Sequence, residues 1–155
     1  MPAVFTAILF LAAALAAPAR PQQMSVTAVP AAAAAPGSKA MLYADVVPRP
    51  GMHVYAPGAT DYRIVAFKLT APDGVTVGAV KYPKAEKLVI ANDTIPVYTK
   101  AFRLAQEIAI GGTVKPQPVT VSGTIEYQAC DDQVCFIPAS IPVSWTIDVR
   151  AARAK

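Results

Sequence analysis

Histidine, cysteine and charged residues are scarce in this chain, and their scarcity excludes several classes of protein. Of the 155 residues, two are cysteine, one is histidine and 15% are charged. A structural zinc site needs four nitrogen or sulfur ligands, and a blue-copper centre needs two histidines beside a cysteine, so neither metal finds its ligand set here. A single histidine without a recognisable nucleophile motif also leaves little from which to build a hydrolytic triad. We therefore expect no metal and no other cofactor.

Charged stretches at helical spacing are missing as well, and after the N-terminus no apolar run is long enough to span a membrane. The chain instead carries 15 prolines and repeated groups of Val, Ile and Thr. This composition favours many short strands joined by turns over a helical bundle. With 54% of its residues hydrophobic, the chain can bury one core, and it is too short for two ordinary domains. The expectation is one all-β domain.

The chain is basic, with a formal net charge of +4, but its positive residues do not form a patch. They are scattered from Arg20 to Lys155, and the densest group is Lys81, Lys84 and Lys87 in the segment KYPKAEK. A solvated turn explains such a group better than a phosphate-binding surface does. We expect no nucleic-acid partner.

The N-terminal sequence MPAVFTAILFLAAALAAPAR has the features of an export signal. Residues 4–15 form a continuous apolar run that ends in small residues. The run is shorter than the roughly 20 apolar residues that a spanning helix needs. We predict a signal peptide at 1–17, a disordered leader at 18–23, and a periplasmic or otherwise exported mature chain without a membrane span. Because no Lys or Arg precedes the apolar run, an uncleaved anchor is the alternative.

Alternation of apolar and polar residues predicts several strands in the first two thirds of the chain. The candidates are residues 24–29, 40–47, 52–55, 64–70 and 98–110. The alanine-rich segment before the Pro36-Gly37 turn signal is predicted to be a loop. In the last candidate, one face carries Phe102, Leu104, Ile108 and Ile110, and the other carries Arg103 and Glu107.

The two clearest strands lie near the C-terminus and flank the cysteines. The inward residues of PVTVSGTIEYQA are Val119, Val121, Ile125 and Tyr127, and those of IPVSWTIDV are Ile141, Val143, Trp145, Ile147 and Val149. About eight such strands with regular turn signals, and no helical period between them, predict an immunoglobulin-like β-sandwich. We assign this domain to residues 24–150 and a tail to 151–155.

The two cysteines come at the end of the hairpin that these strands form. If the first strand keeps its pleat for three more residues, Cys130 lies on the solvent face, and Cys135 follows on the connecting loop. Export takes the pair to an oxidising compartment where a disulfide persists. A structural staple over so short a loop stabilises by roughly 2 kcal/mol. A structural immunoglobulin bridge also has a tryptophan between its cysteines, whereas Trp145 follows both. These arguments favour a redox pair, and the staple stays open.

The segment YQACDDQVCFIP, followed by the strand IPVSWTIDV, resembles the N-terminal domain of the bacterial transmembrane disulfide reductase DsbD. Three other segments are similar to that family, namely GMHVY at 51–55, KYPK at 81–84 and PVY at 96–98. The resemblance covers residues 24–149, and the cysteine segment is its most specific part.

The resemblance implies an immunoglobulin-like domain that takes electrons from a thioredoxin-like domain and passes them to periplasmic thiol-disulfide proteins. By position, Cys135 matches the cysteine that forms the mixed disulfide with partners, and Cys130 matches the one that resolves it. The neighbouring carboxylates of Asp131 and Asp132 would disfavour a thiolate on Cys130. The resemblance therefore implies a protein-disulfide reductase or a related interchange component.

The chain departs from the family pattern in three ways, and in one of them Phe136 is followed by Ile137 and a single proline, Pro138, where the family often has two prolines. The segment aligned with the family's protective cap loop, LVIAN at 88–92, carries no aromatic residue. The chain also ends at Lys155, without the family's membrane and thioredoxin domains, so we expect a free-standing domain. The alternative function is a non-catalytic protein-binding module that keeps the immunoglobulin-like fold and a structural disulfide.

Aromatic residues and the single histidine complete the candidate site. Tyr55, Tyr127 and Phe136 are candidates for an aromatic rim around the disulfide that partners contact, although core packing is the commoner role of tyrosine in a sandwich. His53 is expected to be a hydrogen-bonded strand residue, with proton transfer as its alternative role. Tyr82 and Tyr98 are expected to be structural.

Overall fold

The computed structural model describes residues 21–90 and 92–151, and every regular element in these residues is a β-strand. The predicted signal peptide lies outside the described residues, as do parts of the predicted leader and tail. The strands are β1 (Met24–Ala28), β2 (Lys39–Pro48), β3 (His53–Tyr55), β4 (Ala66–Thr70), β5 (Val75–Lys81), β6 (Glu86–Ile90), β7 (Asp93–Tyr98), β8 (Phe102–Ile110), β9 (Gln117–Tyr127), β10 (Ala129–Cys130) and β11 (Ala139–Val149). The all-β fold class is confirmed.

These strands form three antiparallel sheets with the orders β1-β2-β8-β5, β11-β9-β4 and β10-β3-β7-β6. One large cluster of buried side chains, which we call the main core, joins the first two sheets in an immunoglobulin-like sandwich. It includes Leu42 and Leu104 from one sheet and Ile125 and Trp145 from the other. The rings of Phe67 and Trp145 meet edge to face within it. The predicted sandwich is confirmed.

Strict alternation explains why the main core forms where it does. The nine residues predicted to point inward from the two strands that flank the cysteines are all buried. They come from β9 and β11, which pair over eleven residues from Ala139↔Tyr127 to Val149↔Gln117. Residues of the same parity therefore stack on one face of the pair, and polar residues cover the other face. This sheet is the rigid base from which the cysteine segment leaves.

The predicted strand at 98–110 is wrong in its extent. Tyr98 ends β7, the chain turns at 99–101, and a second strand, β8, begins at Phe102. β7 pairs with β3 and β6, whereas β8 pairs with β2 and β5, so the chain changes sheet at this turn. The rings of Tyr98 and Phe102 stack across it with their centroids 4.0 Å apart. The turn sequence Thr-Lys-Ala contains neither Gly nor Pro, so no local signal marked it.

The predicted lysine turn is also wrong in part, because two of its three lysines lie in strands. Lys81 is the last residue of β5 and Lys87 lies in β6, and the Lys84 side chain is exposed between the two strands. Both strands are edge strands, and lysine is a residue that natural sheets place on edges. The lysines are solvated as predicted, but they mark two strands that the sequence analysis did not find.

Candidate functional site

Cys130 and Cys135 form a disulfide at the tip of a short hairpin that leaves the β9–β11 sheet. Their Cα atoms lie 4.0 Å apart, and the two residues also face each other as an isolated antiparallel bridge. Backbone hydrogen bonds hold the hairpin on both sides of the sulfurs. Asp131 N–H donates to the Val134 carbonyl at 3.0 Å, and Phe136 N–H donates to the Ala129 carbonyl at 2.9 Å. The backbone therefore positions the two cysteines independently of the sulfur–sulfur bond.

The turn between the cysteines is built around the side chain of Asp131. Its Oδ1 accepts hydrogen bonds from the amides of Gln133 at 2.8 Å and Val134 at 2.7 Å. Those amides hold the pKa of Asp131 below its usual range, and the nearby His53 makes a smaller contribution in the same direction. The carboxylate is thus committed to the turn, in the manner of an Asx turn.

Cys130 is buried and Cys135 is exposed, and this asymmetry corrects one prediction. The pleat placed Cys130 on the solvent face, but only 2% of the residue is accessible. β9 ends at Tyr127, and two residues later the chain joins another sheet, where Cys130 pairs with His53 of β3. Cys130 does leave the main core, as its parity predicted. It enters a second, smaller group of buried residues, which we call the disulfide cluster and which contains Tyr55, Ile95, Val97 and Cys130.

The hydroxyl of Tyr55 touches both sulfurs. It lies 2.9 Å from Cys130 Sγ and 3.7 Å from Cys135 Sγ. Because a disulfide sulfur carries no proton, the tyrosine O–H is the donor in this contact. The Tyr55 side chain is fully buried, and the ring of Tyr62 stacks on it with centroids 4.0 Å apart and an interplanar angle of 10°. Burial and the adjacent Tyr62 raise the pKa of Tyr55 to about 12, so the phenol stays protonated.

His53 stands on the other side of the same hydroxyl. Its Nε2 lies 3.4 Å from the Tyr55 hydroxyl oxygen, and its ring meets the Tyr55 ring edge to face at 5.4 Å. Burial lowers the pKa of His53, and the negative charge of Asp131 opposes that shift. His53 is therefore neutral at neutral pH. The two side chains share a face because they are two residues apart on β3.

The disulfide opens onto a groove of about 490 Å³. One wall is the edge strand β6, where Leu88 and Ile90 pack against the disulfide cluster and Val89 is 69% exposed. The segment that aligns with the family's cap loop therefore does lie beside the disulfide, but it contributes aliphatic side chains there. The aromatic cover over Tyr55 comes instead from Tyr62, in a loop that no periodicity could have assigned to the site.

The three aromatic residues predicted at the rim are separated in the structure. Tyr55 lies against the sulfurs, whereas Tyr127 is buried in the main core, where its hydroxyl accepts a hydrogen bond from Gln23 N–H at 3.1 Å. Tyr127 and the half-buried Phe136 line a different groove, which shares no residue with the groove at the disulfide. His53 was named from the sequence, and its approach to Tyr55 follows from the two-residue spacing on a strand. Tyr62 had no comparable signal.

Two kinds of feature are absent from residues 21–90 and 92–151. Within those ranges, no three His, Cys, Asp or Glu side chains come together as metal ligands would. In the same part of the chain, no helix is long and apolar enough to cross a membrane.

Fold and site together define an immunoglobulin-like β-sandwich domain that holds a disulfide hairpin with one buried and one exposed sulfur. The family model described as "Thiol:disulfide interchange protein DsbD, N-terminal" matches residues 20–144. The chain belongs to this family, which confirms the resemblance drawn from the cysteine segment. The function at the level of this family is thiol-disulfide exchange, and the chain carries the Cys130–Cys135 disulfide.

One solved structure shares the fold at low sequence identity, and a second one is similar over part of the chain. The N-terminal periplasmic domain of ScsB from Proteus mirabilis superposes with a TM-score of 0.59 at 15% identity, over 83% of this chain. The chain spans about half of that protein, 47% of its length. The reduced DsbD N-terminal domain from Neisseria meningitidis gives a TM-score of 0.46 at 17% identity, over 76% of this chain and 82% of that one. No curated protein matches the chain.

Proposed function

We propose that this chain is an exported thiol-disulfide exchange domain. It relays reducing equivalents from a thioredoxin-like donor to periplasmic thiol-disulfide proteins through Cys130 and Cys135. The observation that carries the proposal is the asymmetry of the disulfide, in which one sulfur is accessible and the other is buried against Tyr55. A site of this kind lets a partner attack one sulfur and keeps the other as a leaving group within reach.

The chemistry is two successive exchanges. A thiolate of the donor attacks Cys135 Sγ, the bond between Cys135 and Cys130 breaks, and Cys130 leaves with the electron pair. The second thiolate of the donor then attacks the donor's own sulfur in the mixed disulfide, which releases the oxidised donor and the reduced domain. The acceptor is reduced by the reverse sequence, in which the Cys135 thiolate attacks and Cys130 resolves the mixed disulfide.

Access supports the assignment of Cys135 as the attacked residue. A nucleophile displaces a thiolate by approaching along the axis of the sulfur–sulfur bond, from the side opposite the leaving sulfur. Cys135 is exposed at the groove, whereas Cys130 is 2% accessible and is packed in the disulfide cluster. The apolar side chains of Val89 and Val134 are exposed near Cys135 and suit transient contact with a partner.

A trapping experiment with single-cysteine variants tests the proposal. The probe is a thioredoxin whose second cysteine is replaced by alanine and whose first cysteine carries thionitrobenzoate. We expect Cys130→Ala, which retains Cys135, to displace thionitrobenzoate and form a stable mixed disulfide. Cys135→Ala, which retains the buried Cys130, is expected to form none. Absorbance of the released dye and mass spectrometry of the adduct measure both reactions.

Three results would count against this assignment. Adducts from Cys135→Ala alone would reverse the roles of the two cysteines. Adducts from neither variant, with a loss of a few kcal/mol of stability in both, would support the binding module with a structural disulfide. The same alternative gains support from a reduction potential of the pair below about −300 mV, whereas roughly −270 to −180 mV is the range of thioredoxin-like exchangers.

A further inference from the structure

The buried sulfur creates a charge problem for the exchange reaction. When the bond to Cys135 breaks, Cys130 becomes a thiolate in a position that is 2% accessible. A buried anion is costly unless a partner stabilises it. The charged side chains along the groove are Asp131 and Asp132, which are themselves negative, and the described lining residues include no Lys or Arg. The leaving sulfur therefore needs a proton, or at least a strong donor.

The Tyr55 hydroxyl is placed to meet that need. It is the polar group in contact with Cys130 Sγ, at 2.9 Å, and because a disulfide sulfur carries no proton, the hydroxyl is the possible donor in this contact. Its oxygen keeps lone pairs that can accept a hydrogen bond, and His53 Nε2 lies 3.4 Å away. The three atoms thus form a chain from the imidazole through the phenol to the leaving sulfur.

We propose that Tyr55 and His53 form a proton-transfer pair that protonates the Cys130 sulfur as it leaves. Tyr55 is the catalytic acid in contact with the sulfur, and His53 is the residue that positions and reprotonates it. This inference rests on the proposed function, because it concerns the leaving group of the same exchange.

The proton balance of the step is simple. The attacking thiolate forms its bond to Cys135 Sγ, and the electron pair of the broken bond goes to Cys130 Sγ. The Tyr55 O–H proton moves to that sulfur while the Nε2 proton of the His53 imidazolium moves to the Tyr55 oxygen. The products are a Cys130 thiol, a neutral tyrosine and a neutral histidine, which takes its next proton from water. Because burial disfavours a tyrosine anion here, the two transfers must occur together.

This mechanism has a characteristic pH dependence. The titratable groups that line the groove with His53 are Tyr55, Tyr62, Asp131 and Asp132, and Asp131 favours the imidazolium. Burial disfavours it more, so the imidazolium forms below the usual pH of histidine titration. Reduction of the disulfide, once corrected for the amount of attacking thiolate, should therefore accelerate as the pH falls through the pKa of His53.

The experiment measures reduction of the disulfide in the whole chain by dithiothreitol between pH 4.5 and pH 8. At the acid end of this range, where His53 is protonated, we expect Tyr55→Phe, which keeps the ring and removes the hydroxyl, to lower the thiolate-corrected rate constant by on the order of 100-fold, the lower end of what a positioned acid contributes. His53→Gln retains an N–H that can orient Tyr55 but cannot titrate. We expect it to keep the wild-type rate at pH 8 and to lose the acceleration at low pH.

Tyr98→Phe is the matched control for these variants. Its hydroxyl is also buried and donates to the Pro83 carbonyl at 2.8 Å, but its ring packs in the main core. Its removal should cost a hydrogen bond without changing the rate of reduction. Thermal melts of all variants check that each one is folded.

Two results would overturn the inference. One is a Tyr55→Phe protein that is reduced as fast as Tyr98→Phe at every pH, and the other is a His53→Gln protein whose rate falls equally at all pH values. Failure of the relay is a separate result, because it appears as the absence of a thioredoxin adduct while dithiothreitol still reduces the wild-type disulfide.

Discussion

The main core and the disulfide cluster contain different kinds of side chain. The main core is a large set of aliphatic and aromatic side chains that two sheets bury between them, with Leu104, Ile108 and Ile125 fully inaccessible. The disulfide cluster has four buried members, and two of them, Tyr55 and Cys130, carry polar or reactive atoms. Apolar packing gives the first region its stability, whereas in the second, burial limits access to one of the two sulfurs. The stability of the domain and its chemistry are therefore separable by mutation.

The largest loss of stability is expected from a substitution in the main core. Trp145→Ala removes a buried indole that packs on Phe67 and donates from Nε1 to the Tyr43 carbonyl at 3.0 Å. Loss of a buried tryptophan typically lowers the free energy of unfolding by about 3–5 kcal/mol. Urea denaturation measures the loss, and Trp145→Phe should recover part of it.

The rate at which dithiothreitol reduces the Trp145→Ala protein, measured well below its melting temperature, should stay at the wild-type value. A changed rate in this folded variant would mean that the main core and the disulfide cluster are energetically coupled. It would contradict the claim that stability and chemistry are separable by mutation.

A smaller effect is expected from opening the disulfide itself. Cys130 and Cys135 are five residues apart, so the bond closes a short loop and should contribute about 2 kcal/mol on the chain-entropy model. We expect reduction to lower the urea midpoint by a corresponding amount. Hydrogen exchange should accelerate in β3 and β10 and remain slow in β9 and β11. Acceleration of equal size in all four strands would show that the disulfide supports the whole sandwich, as a structural staple does.

The smallest change in stability is expected from a substitution in the turn between the cysteines. The pKa of Asp131 is lowered in the folded protein, so its carboxylate stabilises the fold above about pH 4, and that contribution disappears as the pH falls through the folded pKa. Asp131→Asn should therefore unfold at lower urea than wild type at pH 7, and the difference should vanish at low pH. Asp132→Asn is the control at the next position. A difference between Asp131→Asn and wild type that persists below pH 3 would contradict an electrostatic origin.

The sequence predicted the main core better than the site, and the reason is physical. Alternation identified every inward residue of β9 and β11 because one face of that sheet is uniformly buried. The same rule placed Cys130 in solvent, because parity says which face a residue takes but not what covers that face. Here Cys130 joins a third sheet through β10, and the side chains of Tyr55, Ile95 and Val97 from that sheet bury it. Those contacts come from strands distant in sequence, so no local pattern records them.

Residues outside regular strands were the hardest to place. Tyr62 reaches the site from a loop next to Asp61, which has a positive φ of 65°, and neither periodicity nor a motif predicts the stacking of its ring on Tyr55. His53 was recognised as a strand residue, but the hydroxyl that connects it to the sulfur depends on the pairing of Cys130 with β3. The chemistry of the cysteines could be predicted, and the atoms that tune it could not.

The backbone hydrogen bonds across the base of the cysteine hairpin have a kinetic consequence. Because these hydrogen bonds join backbone atoms and do not involve the sulfurs, we expect Cys130 to remain beside Cys135 after reduction. In the proposed relay, a partner sulfur attached to Cys135 would then face Cys130 at the effective concentration of a preorganised intramolecular reaction, which reaches on the order of 10⁵–10⁸ M for well-oriented groups. Ring closure, rather than the strength of the docking contacts, would limit how long a covalent partner stays. We therefore expect such a relay to turn over quickly even when it recognises its partners weakly.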